Sequence, residues 1–344
     1  MNVPHSEQQL RRAFAALLAA FFVNFLGYAF IVPILPSWHS KFGLNATQAT
    51  MLVSLWAVPL LLLGPFTGRI TDRLGAGPTM LVSLVLLTLS SGLYLVATSE
   101  LVGRPFLLLA GARMLHGASG ATIMTAGLAA ASVLWPTRFG EQSGKVLGMA
   151  AIGGLLGPVL GGLLFSWGEA SAFGVLAIIT LAVCPVMAMS TTVIGGANEQ
   201  TSSTVSIGVF FSDQILFRVG VLLAITTLAT GALEAGVPLF LDDALGLSAA
   251  QIGGVLLVMV LMQGLGSVIW GRWVDRRGPT RYMLIGWCCV TFALLGVGLV
   301  GLVFTGTVAV LAMIVMLGTF QFFIAAAQIP MLPMIDTATN RALG

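Results

Sequence analysis

The chain has 344 residues, of which 58% are hydrophobic and only 8% are charged, and its net charge is +3. A soluble domain carries roughly 25% charged residues, so this composition excludes an ordinary soluble protein and indicates a membrane protein. The basic residues are scattered, which excludes a nucleic-acid-binding surface. The three cysteines all lie in apolar segments without disulfide or metal-site spacing, so we expect no metal and no cofactor.

Apolar segments of about 20 residues, long enough to cross a bilayer as helices, recur along the whole chain. In chain order, ten such helices are predicted over approximately residues 13–36, 47–67, 79–98, 105–134, 143–166, 170–190, 217–241, 249–271, 282–303 and 307–335. Asn45 and Ser248, each followed three residues later by Gln, predict capping boxes that open helices 2 and 8. The sequence therefore predicts an all-α integral membrane protein.

A polar stretch separates the first six predicted helices from the last four. We interpret 1–190 as an N-terminal six-helix bundle, 191–216 as a cytoplasmic linker and 217–344 as an incomplete C-terminal bundle of helices 7–10. With the N-terminus inside, twelve Lys and Arg residues lie on the inner side and only Lys41 and Arg104 on the outer side. This bias predicts a cytoplasmic N-terminus, in what we expect to be a bacterial inner membrane.

One charged motif, Gly-x-x-x-Asp-Arg-x-Gly, occurs twice, 203 residues apart, as a predicted inner loop between two spans. Its copies contain Gly68, Asp72, Arg73 and Gly75, and Gly271, Asp275, Arg276 and Gly278. A second matching pair of blocks, 43–48 and 246–251, has the same offset, so the chain contains an internal duplication. A duplicated membrane bundle is the plan of a secondary transporter. The offset maps helix 1 onto helix 7, and we expect helices 11 and 12 to be missing.

Helix 5 carries glycines at every fourth position, Gly153, Gly157 and Gly161. Small residues at this spacing line one helix face and let two backbones approach closely. Pro158 removes a backbone donor and bends the helix. Ordinary tight packing is compatible with this pattern. No hydrolase motif or phosphate-binding loop occurs in a suitable context, so we do not expect an enzyme.

Ionisable residues within spans are costly, which makes them the best pointers to function. Glu234 in helix 7 is the acidic residue that falls clearly inside a predicted span. Its carboxyl group can hold a proton and release it on hydration, as a proton antiporter requires. Arg113 and His116 are three apart in helix 4 and share a face with Gly117. The structural alternatives are a hydrogen-bonded, protonated Glu234, an Arg113 tied to backbone carbonyls, and a packed His116.

These motifs resemble those of the major facilitator superfamily. The doubled Asp-Arg motif is similar to its inner-loop signature, and 113–117 resembles the Arg-x-x-x-Gly motif of its exporters. Helix 1 around Asn24 and helix 7 around Glu234 look like the vesicular amine transporter branch and its bacterial multidrug-efflux relatives. Helix 5 matches the drug:proton antiporter signature at every position, with Gly144, Gly153, Gly157, Pro158, Gly161 and Gly162.

The resemblance implies a major facilitator fold of two pseudo-symmetric bundles, here six plus four helices. It implies a role for Arg113 in proton coupling and a tight contact between the two halves at the helix 5 motif. The duplicated Asp residues would act as latches on helix N-termini of the opposite half. The Asp72 loop would meet helix 11, which we expect to be missing, and the Asp275 loop would meet helix 5.

The candidate substrate-cavity residues are Asn24, Tyr28, His116 and Gln328. Asn24 departs from the resembling amine transporters, which have an Asp at this position. An amide can hydrogen-bond a substrate but cannot attract a cation, so Glu234 is left as the acid of the site. For Gln328, a hydrogen bond between helices is an equal alternative.

We expect a secondary active transporter that exports small lipophilic or cationic compounds in exchange for protons. Its partners would be its small-molecule substrate, protons and the lipid bilayer. The alternatives are a non-transporting truncated remnant or membrane assembly partner, favoured by the missing helices, and a metabolite uptake carrier, disfavoured by the helix 5 signature. Without helices 11 and 12, we expect the chain to insert into the membrane but not to transport.

Overall fold

The computed structural model describes residues 6–99, 102–103, 105–135, 139–195, 212–331 and 334, and we find no strand among them. Besides a 3₁₀ turn at Val32–Ile34, its elements are α1 Glu7–Phe30, α2 Leu35–Phe42, α3 Ala46–Ser54, α4 Ala57–Leu74, α5 Ala76–Ala97, α6 Phe106–Leu134, α7 Phe139–Phe165, α8 Glu169–Ile194, α9 Gln214–Asp243, α10 Ala249–Arg277, α11 Pro279–Val303 and α12 Gly306–Gln328. The predicted all-α fold is confirmed.

Within the described residues, nine helices are long and apolar enough to cross a membrane. They correspond to nine of the ten predicted spans. The remaining predicted span, 105–134, forms the 29-residue helix α6, which is long enough to cross but contains Arg113 and His116. The site described below is built around these two residues.

Helix 1 is predicted as a single span, but the structure divides it. Ser6 opens α1 with a capping box, and α1 ends at Phe30. The 3₁₀ turn follows, and then α2 runs to Phe42. Pro33 and Pro36 lack the N–H that would continue the helical hydrogen bonding, which explains the interruption. Gly43, with φ of 62°, ends the segment in the left-handed conformation.

The internal duplication is visible in the backbone. Asn45 and Ser248 each form the predicted capping box with the Gln three residues later, which confirms both caps. Immediately upstream, Gly43 and Gly246 have φ of 62° and 65°. One helix further along, Gly75 and Gly278 have φ of 93° and 83°. Equivalent positions in the two halves therefore make equivalent turns.

The Asp-Arg motif differs from its predicted form. The predicted spans put Asp72 and Asp275 in loops just beyond helix ends, but both residues lie in the last turns of α4 and α10. Only the final glycines, Gly75 and Gly278, leave the helical conformation, and α5 and α11 begin at the next residue. The positive φ of a glycine allows this one-residue connection, so the motif is a helix end rather than a loop.

The chain divides into two compact units, Met1–Thr201 and Ser202–Gly344. The predicted linker at 191–216 lies mostly outside the described residues, although α8 continues to Ile194. In the N-terminal unit, α1 packs mainly on α7 and α8, α5 packs on α6 and α8, and α4 packs on α6. A buried apolar core surrounds α1, with Leu17 and Phe21 among its fully buried members.

The C-terminal unit repeats part of this arrangement. Helix α12 packs on α11 and α10, just as α6 packs on α5 and α4. Trp270 of α10 donates its indole N–H to the carbonyl oxygen of Phe322 at 3.1 Å, joining α10 to α12. The most apolar window of α9 is 17% buried, against 67% for the window of helix 1, so the described helices cover α9 far less.

Candidate functional site

Arg113 lies on α6 with no exposed surface, in the interior of the N-terminal unit. Its Nε donates to the carbonyl oxygen of Leu52 at 3.0 Å, and its Nη1 donates to the carbonyl oxygen of Tyr28 at 3.2 Å. Its guanidinium carbon also lies 5.0 Å from the centre of the Tyr28 ring, within cation–π distance. The structure therefore places Arg113 in contact with helices 1 and 2.

Helix ends explain how this charge is accommodated. Tyr28 lies in the last turn of α1 and Leu52 in the last turn of α3, where carbonyl groups lack helical partners. The C-terminal end of a helix also carries partial negative charge, which favours a cation. Arg113 belongs to neither of the ion pairs seen within the described part of the chain, Arg11–Glu7 and Lys41–Glu169. The C-terminal ends of two helices thus balance the charge of Arg113 in place of a carboxylate.

His116 lies one turn beyond Arg113 on the same face of α6. Its Nε2 lies 3.0 Å from the carbonyl oxygen of Asn24, one turn before Tyr28 on α1. Because a carbonyl oxygen only accepts hydrogen bonds, Nε2 carries the hydrogen. The predicted shared face of Arg113 and His116 is therefore directed at successive turns of helix 1.

Asn24 extends this contact to helix 3. Its side-chain Nδ2 donates to Ser119 Oγ on α6 at 2.6 Å. Ser119 Oγ in turn donates to the carbonyl oxygen of Ser83 on α5 at 2.8 Å, and Ser83 Oγ donates to the carbonyl oxygen of Ser119 at 2.9 Å. All of these residues, like His116, are fully buried, so they form a polar network inside the N-terminal unit.

Some polar atoms of this region have no hydrogen-bond partner in the described structure. Nearby, the Tyr94 side chain interacts with Arg113, and its ring stacks on Phe173 at 4.8 Å. The atoms without partners are Asn24 Oδ1 and His116 Nδ1. Such buried groups retain the capacity to bind water or a polar ligand group. Of the predicted cavity residues in this unit, Asn24 and His116 are enclosed, and Tyr28 is half-buried.

The two remaining predicted residues, Glu234 and Gln328, lie in the C-terminal unit. Glu234 is half-buried on α9, between the buried residues Leu233 and Ala235. Gln328, at the end of α12, donates from Nε2 to Thr226 Oγ1 of α9 at 3.2 Å. This is the hydrogen bond between helices that the sequence left open for Gln328, and the cavity role remains a prediction.

The helix 5 glycines lie against helix 1 of the same unit. A Cβ at Gly153, Gly157 or Gly161 would collide with the carbonyl oxygens of Phe22, Leu26 and Phe30, respectively. These carbonyls are one helical turn apart, so the glycine face follows the backbone of α1. Pro158 lies inside α7, and Gly144 and Gly162 belong to the same helix. The expected role at the contact between halves remains a prediction.

The Asp-Arg motif lies at the C-terminal ends of α4 and α10. Asp72 and Arg73 are exposed, as is Arg276. Gly68, Gly75, Gly271 and Gly278 keep the positions that the duplication requires. The side chain of Asp275 lies outside the part of the chain that the structure describes. The proposed latches therefore remain predictions.

Several residues of the site were not predicted from the sequence. Ser119 could have been found, because it follows His116 by three residues on the polar stripe of helix 4. Ser83 carries no comparable signal. Trp56, whose ring centre lies 4.4 Å from that of Tyr28, was also missed. Lys41 Nζ lies 2.7 Å from Glu169 Oε2, an ion pair that joins α2 to α8 and that was not predicted either.

A multi-pass helical membrane protein built from two related units, with polar groups enclosed among its helices, has the architecture of a secondary transporter. The family model of the Major Facilitator Superfamily matches residues 17–343. The chain therefore belongs to this superfamily, whose members are transporters.

Similar proteins support the assignment. The chain is 26% identical over 302 residues to "Multidrug resistance protein 2" of Bacillus subtilis (strain 168), an alignment that covers 84% of this chain and 73% of that protein. It is 29% identical over 168 residues to "Quinolone resistance protein NorA" of Staphylococcus aureus (strain Mu50 / ATCC 700699), covering 46% of this chain and 41% of that protein. In this second comparison the chain thus spans less than half of its relative.

The fold is also similar to a solved structure. A bacterial homolog of the human lysosomal transporter Spinster, in its inward-facing and unoccupied conformation, superposes with a TM-score of 0.72 at 12% identity. The match covers 98% of this chain and 80% of that chain. At this identity the likeness concerns the fold alone, and it confirms the expected major facilitator architecture.

Proposed function

We propose that this transporter exports small lipophilic or cationic compounds in exchange for protons, as in the drug:proton antiporter branch. The observation that carries the proposal is the carboxyl group of Glu234 on the apolar helix α9, in a chain similar over 84% of its length to a protein named for multidrug resistance. An acid within a span is costly and needs a functional reason. Reversible protonation provides one.

Glu234 and Arg113 have different parts in this proposal. A carboxyl group can bind and release a proton, so Glu234 is the carrier. A guanidinium group stays charged in proteins, so Arg113 cannot carry a proton. Its contribution to coupling is positional: it holds the ends of α1 and α3 through its hydrogen bonds to Tyr28 and Leu52.

We propose Asn24, Tyr28 and His116 as substrate contacts within the N-terminal unit, and Gln328 as a substrate contact within the C-terminal unit. The atoms without partners, Asn24 Oδ1 and His116 Nδ1, support this assignment because they can accept hydrogen bonds from a ligand. Both side chains are enclosed in this conformation, so substrate contact requires the bundle to open.

The remaining motifs would control the opening. We propose that Asp72 and Asp275 latch the inner surface by docking on helix N-termini. The helix 5 glycines would provide a close helix contact that prevents leakage of solutes while the molecule changes conformation. The excess of basic residues on one side supports a cytoplasmic N-terminus, with the outer ion pair Lys41–Glu169 on the opposite side.

Inverted membrane vesicles test the proposal, and accumulation by residues 1–344 would also reject the expectation that this chain inserts without transporting. Acidifying the vesicle interior should drive accumulation of the lipophilic cation tetraphenylphosphonium, and each transport event should consume part of the pH gradient. Glu234→Gln should abolish both signals while leaving the amount of inserted protein unchanged. The matched control is Glu7→Gln, which changes an acid that is 79% exposed at the start of α1. Full accumulation by Glu234→Gln would reject Glu234 as the proton carrier, and gradient-independent equilibration would reject antiport.

A further inference from the structure

The hydrogen bonding of helix 2 is interrupted at Leu55 and Trp56, although both keep helical φ and ψ angles, whereas the counterpart of helix 2 in the second unit is continuous. α3 ends at Ser54 and α4 begins at Ala57, but α10 runs without a break from Ala249 to Arg277. Pro59 explains the difference. It has no N–H to donate to the carbonyl of Leu55, and in a continuous helix its ring would clash with that carbonyl. We refer to Leu55, Trp56 and Pro59 as the helix 2 joint.

Helix α6 contains a notch that receives this joint. A Cβ at Gly117 would collide with the carbonyl oxygen of Trp56 and would lie 3.1 Å from Cδ of Pro59. A Cβ at Gly120 would lie 2.9 Å from Cζ2 of the Trp56 indole ring. The joint can therefore approach α6 only because both positions lack a side chain.

Arg113 lies one turn before Gly117 and binds the segment just ahead of the joint. Its Nε–H donates to the carbonyl oxygen of Leu52, one turn before Trp56. Tyr28 of α1 contacts both Trp56 and Arg113. Its ring lies 4.4 Å from the Trp56 ring and 5.0 Å from the Arg113 guanidinium. The broken segment, the end of α1 and the buried charge therefore meet at a single place.

The second unit has a different arrangement at the equivalent place. The position 203 residues after Pro59 is Met262, which has the N–H that a continuous helix needs. Its side chain packs against Gly318 of α12, with Cγ 3.3 Å from a Cβ built there. The joint is therefore a feature of the N-terminal unit that the duplication alone does not explain.

We propose that the helix 2 joint is a hinge in the outer half of the N-terminal unit, and that Trp56 is a positioning residue that holds the Leu52 carbonyl over Arg113. This inference rests on the proposed transport function. Tilting α3 on α4 breaks the bond from Arg113 to Leu52 and lifts Trp56 from the notch. The movement of α3 is thus linked to the residue assigned to coupling.

The test measures the hinge directly. In a protein whose three native cysteines are replaced by Ala, spin labels are attached at Thr47 and Leu107, which are exposed near the starts of α3 and α6. The wild-type pair should give a broad distance distribution. Pro59→Met, which introduces the residue found in helix 8, should give a narrower one. An equally broad distribution in Pro59→Met would overturn the hinge.

Glycine variants test the notch. Gly117→Ala should shift the mean label distance by about 2 Å, a common size for helix displacements, and lower tetraphenylphosphonium accumulation about tenfold. Gly111→Ala is the control, because its Cβ meets only Leu93 of α5 at 3.5 Å. Equal distances in the two variants would overturn the proposal. If Gly117→Ala is not monodisperse, the label distances of Trp56→Ala are compared with those of Gly111→Ala instead. Absence of transport in the wild type would reject the proposed function but would leave the distance measurements valid.

Discussion

A Cβ at Gly157 of α7 would lie 2.7 Å from the carbonyl oxygen of Leu26 in α1, so the two helices touch through their backbones. Backbone contact at this distance is possible only with glycine, and the repeat of glycines every four residues extends it along both helices. The helix 5 signature therefore has a direct structural consequence inside the N-terminal unit.

Gly157→Ala should lower the thermal stability of the purified protein. The added methyl group has no space, and overpacking costs typically about 1–3 kcal/mol. Gly154→Ala on the same helix is the matched control, because nothing lies within 4 Å of its Cβ position. Thermal unfolding in detergent measures the difference. Identical melting temperatures for the two variants would contradict the close contact.

The pair Asn24 and Ser119 should be energetically coupled. Asn24→Ala and Ser119→Ala each remove one end of a buried hydrogen bond of 2.6 Å, so the double variant should lose less stability than the sum of the single variants. Hydrogen bonds between membrane helices average about 0.6 kcal/mol in such cycles. Pairing Asn24→Ala with Ser132→Ala, an exposed position on α6, should give additive losses. A coupling energy of zero for the first pair would argue against the network.

Lysine should not substitute functionally for arginine at position 113, so we expect Arg113→Lys to be destabilised. A lysine retains the charge but has no planar fork with which to reach the carbonyls of Leu52 and Tyr28 together. Losing a hydrogen bond from a charged group costs about 1.5–3 kcal/mol, so the variant should unfold at a lower temperature than the wild type. Arg12→Lys, an exposed position near the start of α1, is the control. Wild-type stability of Arg113→Lys would show that charge alone is sufficient.

The ion pair between Lys41 and Glu169 should respond asymmetrically to mutation. Lys41 is about half exposed, whereas Glu169 is 9% exposed. Lys41→Met leaves a buried carboxylate without its partner, while Glu169→Gln leaves only a lysine that can turn to water. Lys41→Met should therefore be the more destabilising change, by about 1–3 kcal/mol. Adding Glu169→Gln to Lys41→Met should recover stability, and a further loss in the double variant would contradict this explanation.

The internal duplication could be read from the chain because the turns between helices depend on local chemistry. Gly43 and Gly246, and Gly75 and Gly278, occupy backbone conformations that favour glycine, and the two capping boxes need only four neighbouring residues. The length of each apolar segment identified the spans in the same local way, because a bilayer requires that length of every helix separately. The in-span residues Arg113 and Glu234 were found because charge is rare in apolar segments.

The partners of these residues could not be predicted, because contacts across helices depend on rotation and depth in the bundle. The sequence left Arg113 open between proton coupling and a bond to backbone carbonyls, and only the packed structure shows which carbonyls it binds. Ser83 became part of the site because α5 places it opposite Ser119. The helix 2 joint needed both Pro59 and the Gly117 notch, which are far apart in the chain. Local residue chemistry thus determined the elements, and the packing of helix on helix decided the site.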